Sequence, residues 1–116
     1  MIRGTTPTFT ITINGAKLSS LGVIYVTLKQ GTVQYDLTPT VVDDSTISVT
    51  LTQAQTLSFV AGTYAYIQVR AANTSGVAVA TYQKSEPVYD ILKDGEISAM
   101  HSLVAGDMSN MRNIML

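Results

Sequence analysis

With 116 residues, a net charge of −1 and only 13% charged side chains, the chain has room for one modest core and lacks the basic excess that displaces counterions from nucleic acid or docks on an anionic membrane. It has no cysteine, which excludes disulfides, thiolate metal sites and cysteine nucleophiles. No apolar run follows Arg3 and no stretch approaches the roughly 18 apolar residues of a membrane span, so the chain is expected to be made and retained in the cytoplasm.

The dominant period along the chain is two, the signature of strands with one buried face. Phe9, Ile11 and Ile13 alternate with Thr8, Thr10 and Thr12, with Pro7 at the entrance, where a missing N–H costs least. In Val23–Gln30, Ile24, Val26 and Leu28 share one face while Tyr25, Thr27 and Lys29 share the other. Gln30-Gly31 then leads into Val33, Tyr35 and Leu37, which predicts an antiparallel hairpin. Asp43-Asp44-Ser45 reads as a turn before Ile47, Val49 and Leu51.

At Thr52-Gln53-Ala54-Gln55 the period changes. A Gln three residues after a Thr has the spacing of a capping box and predicts a short helical turn linking two sheets. After Ala61-Gly62, Ala65, Ile67, Val69 and Ala71 face one way, and Tyr64, Tyr66, Gln68 and Arg70 the other. A polar loop at Asn73–Gly76 precedes a returning strand over Val77–Lys84, and Pro87–Leu92 reads as the last strand. Six or seven short antiparallel strands predict an all-β sandwich, with a closed barrel as the alternative.

This divides the chain into a sandwich over residues 1–92 and a Met-rich extension over 93–116. In the extension, Ile97, Met100, Val104, Met108, Met111 and Met115 recur every three or four residues and form one stripe on a helix. Gly106 interrupts the pattern. Because methionine adapts readily to grooves on partner proteins, the stripe reads as a short helical or extended arm docking on a neighbouring subunit; self-packing over the sandwich is the alternative.

Chemistry is hard to place. His101 is the only histidine, and it lies in the extension without a second one to share a metal. Asp43-Asp44 reads as a solvated turn and not as a cation loop. Glu86, Asp90, Asp94 and Glu96 cluster after the last strands without a predicted cleft, so no catalytic residue, metal ligand or cofactor site is assigned and the chain is not expected to be an enzyme. Tyr64, Tyr66 and Arg70 form a candidate contact surface, since a tyrosine offers an apolar ring with a polar tip; Tyr35 or Tyr82 is expected to join them.

The opening Met1-Ile2-Arg3-Gly4-Thr5-Thr6-Pro7-Thr8-Phe9 resembles that of short proteins encoded in phage and prophage structural gene clusters of gut Firmicutes. So do Leu51-Thr52-Gln53, Thr56-Leu57-Ser58-Phe59 and Ile91-Leu92-Lys93-Asp94-Gly95-Glu96-Ile97. A more distant resemblance is to the N-terminal domain of phage baseplate upper proteins, carried by Ala61-Gly62-Thr63-Tyr64 before an alternating strand and by the Gly76 loop. The resemblance implies an immunoglobulin-like sandwich that assembles in many copies, as a homo-oligomer or with other virion proteins, on a tail, baseplate, neck or capsid surface. It implies localisation to the virion. The segment after Ile97 is not covered by it. A module binding host-surface glycans or proteins through Tyr64, Tyr66 and Arg70 is the alternative function.

Overall fold

A computed structural model describes residues 1–15 and 17–98, and it is an all-β sandwich. The strands are β1 (Thr8–Thr12), β2 (Val23–Gln30), β3 (Val33–Leu37), β4 (Thr40–Val41), β5 (Thr46–Thr50), β6 (Tyr64–Ala72), β7 (Ala78–Ala80) and β8 (Lys84–Pro87). One helical turn, α1 (Gln53–Leu57), joins β5 to β6. A three-stranded sheet runs β1-β5-β4, and a five-stranded sheet runs β3-β2-β6, with β7 and β8 both on the far side of β6. Every pairing between these strands is antiparallel. This is the strand order B-E-D against C′-C-F-G of immunoglobulin-like sandwiches, with no strand in the A position beside B among the described residues.

The apolar alternation becomes the inner faces of the two sheets. Val26, Leu28, Ala65 and Val69 come from the larger sheet, and Ile47 and Val49 from the smaller. Leu51, Phe59 and Val88 close the core. Fully burying a Leu, Ile or Phe contributes about 1.5–3 kcal/mol each, so this cluster is what holds the sheets face to face. The β2–β3 hairpin turns at Gly31, whose positive φ of 58° suits a residue without Cβ, and its register pairs Gln30 with Val33.

The capping box at α1 forms as the sequence predicts. Thr52 Oγ1 accepts from the Gln55 N–H at 3.2 Å, and Gln55 Oε1 accepts from the Thr52 N–H at 2.9 Å. The adjacent loop is tied to the hairpin by Gln30, whose amide accepts from the Val60 N–H at 2.7 Å and donates to its carbonyl at 2.9 Å. Gln53 does the same for Ile97, at 2.8 and 3.1 Å, and so fastens the last described stretch of chain to α1.

Three expectations are corrected. The returning strand predicted over Val77–Lys84 is interrupted: β7 stops at Ala80, and β8 begins at Lys84 on the same edge. Thr81 causes the break by giving Val69 N–H a side-chain acceptor at 3.0 Å while its own carbonyl accepts from Gln68 Nε2 at 2.8 Å. Pro87 ends a strand instead of opening one, and residues 88–92 contain no strand. Ala65–Glu86 and Ile67–Lys84 exchange the ladder bonds to β6, so the nitrogen of Pro87 points away from β6 and its missing N–H leaves the ladder intact. Tyr35 turns inward: its ring meets Phe59 edge-on (5.8 Å, 79°), and its hydroxyl lies 2.6 Å from Ser58 Oγ.

Candidate functional site: the outer sheet face and its edges

The outer face of the five-stranded sheet collects the polar halves of three alternating strands. Register places Tyr25 opposite Arg70, Thr27 opposite Gln68 and Lys29 opposite Tyr66 across β2–β6. It places Thr27 opposite Asp36 and Lys29 opposite Gln34 across β2–β3. Directly opposed residues share a face, so the predicted row Tyr64, Tyr66, Arg70 lies on one exposed surface together with Tyr25. About half of each of these tyrosines is open to solvent (49% for Tyr25, 53% for Tyr64, 47% for Tyr66). A shallow trough of about 770 Å³ runs across the face, lined among others by Tyr25, Lys29, Asp36, Gln68 and Arg70.

The charges on this face are unequally committed. Asp36 accepts from Thr27 Oγ1 at 2.7 Å and from Gln34 Nε2 at 3.1 Å, and these bonds hold its carboxyl below the ordinary aspartate range, Thr27 contributing most. Among the described residues, neither the Lys29 nor the Arg70 side chain has a hydrogen-bond or ion-pair partner. The arrangement offers flat aromatic area flanked by free cations, which suits a protein surface presenting carboxylates.

Tyr82 does not join the row. It lies in the break between β7 and β8, 98% exposed, and lines a cleft of about 300 Å³ with Thr10, Ile11 and Thr12 of β1. Tyr25 takes its place on the face. Its outward direction was legible in the alternation of Val23–Gln30, but its apposition to Arg70 depends on the β2–β6 register, which no local pattern specifies.

Of the acidic residues grouped over 86–96, Glu86, Asp90 and Asp94 contact the first residues of the chain. The Met1 ammonium meets Glu86 Oε1 and the Pro87 carbonyl, each at 2.8 Å. Ile2 and Tyr89 form a parallel bridge, with Tyr89 N–H donating to Met1 O at 2.9 Å and Arg3 N–H donating to Tyr89 O at 3.0 Å. The Arg3 guanidinium donates to the carbonyls of Leu57 (3.0 Å), the last residue of α1, and Phe59 (2.8 Å), two residues beyond it, and to Asp90 (2.7 Å) and Asp94 (3.5 Å). Gly4 turns the chain away at φ 75°; a Cβ there would stand 2.9 Å from Ile91 Cδ1. Residues 1–3 therefore line the chain where β8 ends, along residues 87–89.

The sheet edges differ in how they are protected. Residues 1–3 meet β8 only at its end, β4 and β7 are two and three residues long, and β3 carries Asp36. β1 is a regular five-residue edge with no charged residue. Edges of this last kind are the ones that pair with other chains.

Of the predicted arm, Ile97 is 62% exposed; Met100, Val104, Met108, Met111 and Met115 lie outside the described residues, as does His101. Among the described residues no group of three His, Asp or Glu side chains is placed to hold a metal ion, and no helix is long and apolar enough to cross a membrane. Comparison with protein-family models, with curated proteins and with solved structures finds no match to this chain.

Proposed function

We propose that the chain is a non-catalytic structural subunit of a bacteriophage particle, held there by contacts with neighbouring protein subunits. The observation that carries this reading is the outer sheet face, where Tyr25, Tyr64 and Tyr66 lie half-exposed beside Lys29 and Arg70, whose side chains have no partner among the described residues. Tyrosine and arginine are the residues that anchor protein interfaces, because they bury large area and satisfy their polar ends together. The resemblance of the opening residues and of Ile91–Ile97 to phage structural proteins supplies the particle as the setting. The low charge of the chain fits a surface largely covered by neighbours.

The test is incorporation of a face variant into particles. Tyr66→Ala combined with Arg70→Glu leaves the core untouched, so the purified variant keeps the wild-type circular dichroism and melting temperature. Losing two interface anchors costs about 2 kcal/mol or more each, enough to reduce occupancy at least tenfold. Incorporation at the wild-type copy number contradicts the reading. Deleting residues 98–116 asks the same question of the arm, and unchanged incorporation removes it as a contact.

A second reading, a glycan-binding module, draws on Tyr64 and Tyr66 standing two residues apart on one face, with Tyr64 also flanking a hollow of about 550 Å³ with Tyr89. Specific glycan-array binding that Tyr66→Ala abolishes while incorporation persists favours that reading.

A further inference from the structure

We infer that β1 is a self-pairing edge, through which two copies of the chain join as antiparallel β1–β1 strands about a two-fold axis at Thr10. The inference rests on the assembly reading above and names one of its contacts. Among the described residues the immunoglobulin-like order leaves the position beside β1 empty, and the three-stranded sheet ends there on β1.

The direction of its backbone groups follows from the ladder. Leu51 N–H donates to Pro7 O and Ile13 N–H donates to Ser45 O. In an antiparallel pair, hydrogen-bonded residues alternate with non-bonded ones, so Phe9 and Ile11 bond β5 while the N–H and C=O of Thr8, Thr10 and Thr12 point to the open side. A two-fold axis at Thr10 pairs Thr10 with its own copy and Thr8 with Thr12 of the other chain, each pair exchanging two main-chain bonds. The full length of β1 is then matched.

Four further observations select a second copy as the occupant. A two-fold axis sets like charges near one another; Thr8–Thr12 has no charge to repel its copy, whereas β3 carries Asp36 and β8 carries Lys84 and Glu86, and the other uncharged edges, β4 and β7, are only two and three residues long. Phe9 and Ile11 are only half-buried, and the pairing sets Phe9 against Ile11 of the other chain on the inner face. On the outer face threonine meets threonine, a contact the chain already makes between Thr8 Oγ1 and Thr50 Oγ1 at 2.8 Å. The fully exposed ring of Tyr82 stands beside this edge, in the cleft that an added strand would cover.

The purified 116-residue protein tests this in sedimentation equilibrium and amide exchange. The expected mass is twice 12.4 kDa, with slow exchange at the Thr10 amide. Thr10→Pro removes only an outward N–H, so it is expected to keep the β1–β5 ladder and the wild-type circular dichroism while the mass falls to that of one chain. Should Thr10→Pro fail to fold, Thr10→Lys retains every main-chain donor and sets two like charges at the axis; its expected behaviour is a single-chain mass in low salt that rises with added salt. A wild-type monomer, fast Thr10 exchange in a dimer, or an unchanged dimer in a folded Thr10→Pro or in Thr10→Lys overturns the pairing. Those outcomes leave the assembly reading to the incorporation test, which probes the other sheet.

Discussion

Arg3→Ala is the substitution whose effect follows most directly from the geometry. The side chain is 16% exposed and crosses from the first residues to the carbonyls of Leu57 and Phe59, 3.0 and 2.8 Å away, where α1 has run out of N–H donors for its last carbonyls. Hydrogen bonds from a charged donor contribute about 1.5–3 kcal/mol each. Both bonds depend on one side chain, and water can reach the vacated carbonyls, so the combined loss is about 2–4 kcal/mol. The ion pairs add little, because Asp90 and Asp94 are 64% and 76% exposed. For a domain of this size the loss lowers the melting temperature by about 8–16 °C. Urea unfolding should show a lower midpoint at constant m-value. Arg3→Lys should fall between wild type and Arg3→Ala, since an ammonium cannot reproduce the fork of a guanidinium. A change below about 0.5 kcal/mol for Arg3→Ala, the range of ordinary surface substitutions, would refute the reading that Arg3 ties the N-terminus to the end of α1 as a latch.

Phe59→Ala should destabilise the fold by about 3–5 kcal/mol in the same assay, because it empties the centre of the core and removes the ring on which Tyr35 packs. Thr52→Ala should cost about 1 kcal/mol by opening the capping box, and Thr52→Ser should restore most of it. Asp90 is held below its ordinary value of 3.8, first by the Ile91 N–H and then by Arg3, so the unfolded chain binds more protons in acid. The stability it contributes is fully present above pH 3.8 and is lost as the pH falls through the lower folded value; Asp36 and Asp43 act in the same direction. Asp90→Asn should therefore flatten the acid limb of stability measured against pH.

Much of the sandwich was legible because half-buried antiparallel strands write their burial as a period of two. Ile24, Val26 and Leu28 against Tyr25, Thr27 and Lys29 is a local signal, and so is the spacing of Thr52 and Gln55. What was not legible depends on partners far along the chain. Thr81 breaks the returning strand only because Gln68 and Val69 lie opposite it, and Pro87 is tolerated at a strand end because its nitrogen faces away from β6. Tyr35 follows the apolar alternation of Val33 and Leu37 inward to Phe59, whereas Tyr66 lies on the outward alternation of β6; that Phe59 is the ring Tyr35 meets depends on a residue 24 positions away. Of the candidate surface, Tyr64, Tyr66 and Arg70 share a face by simple alternation within β6, while Tyr25 reaches Arg70 only through the β2–β6 register. The N-terminal latch joins residues 85 to 87 positions apart in sequence, and nothing in the local pattern around Arg3 announces it.

The central claim, membership of a phage particle, is tested most directly by quantitative mass spectrometry of particles purified on a density gradient from the producing bacterium. The expected result is this chain in the particle band at a fixed whole-number ratio to the principal structural protein. Complete, infectious particles that lack the chain, with all of it left at the top of the gradient, would contradict the claim.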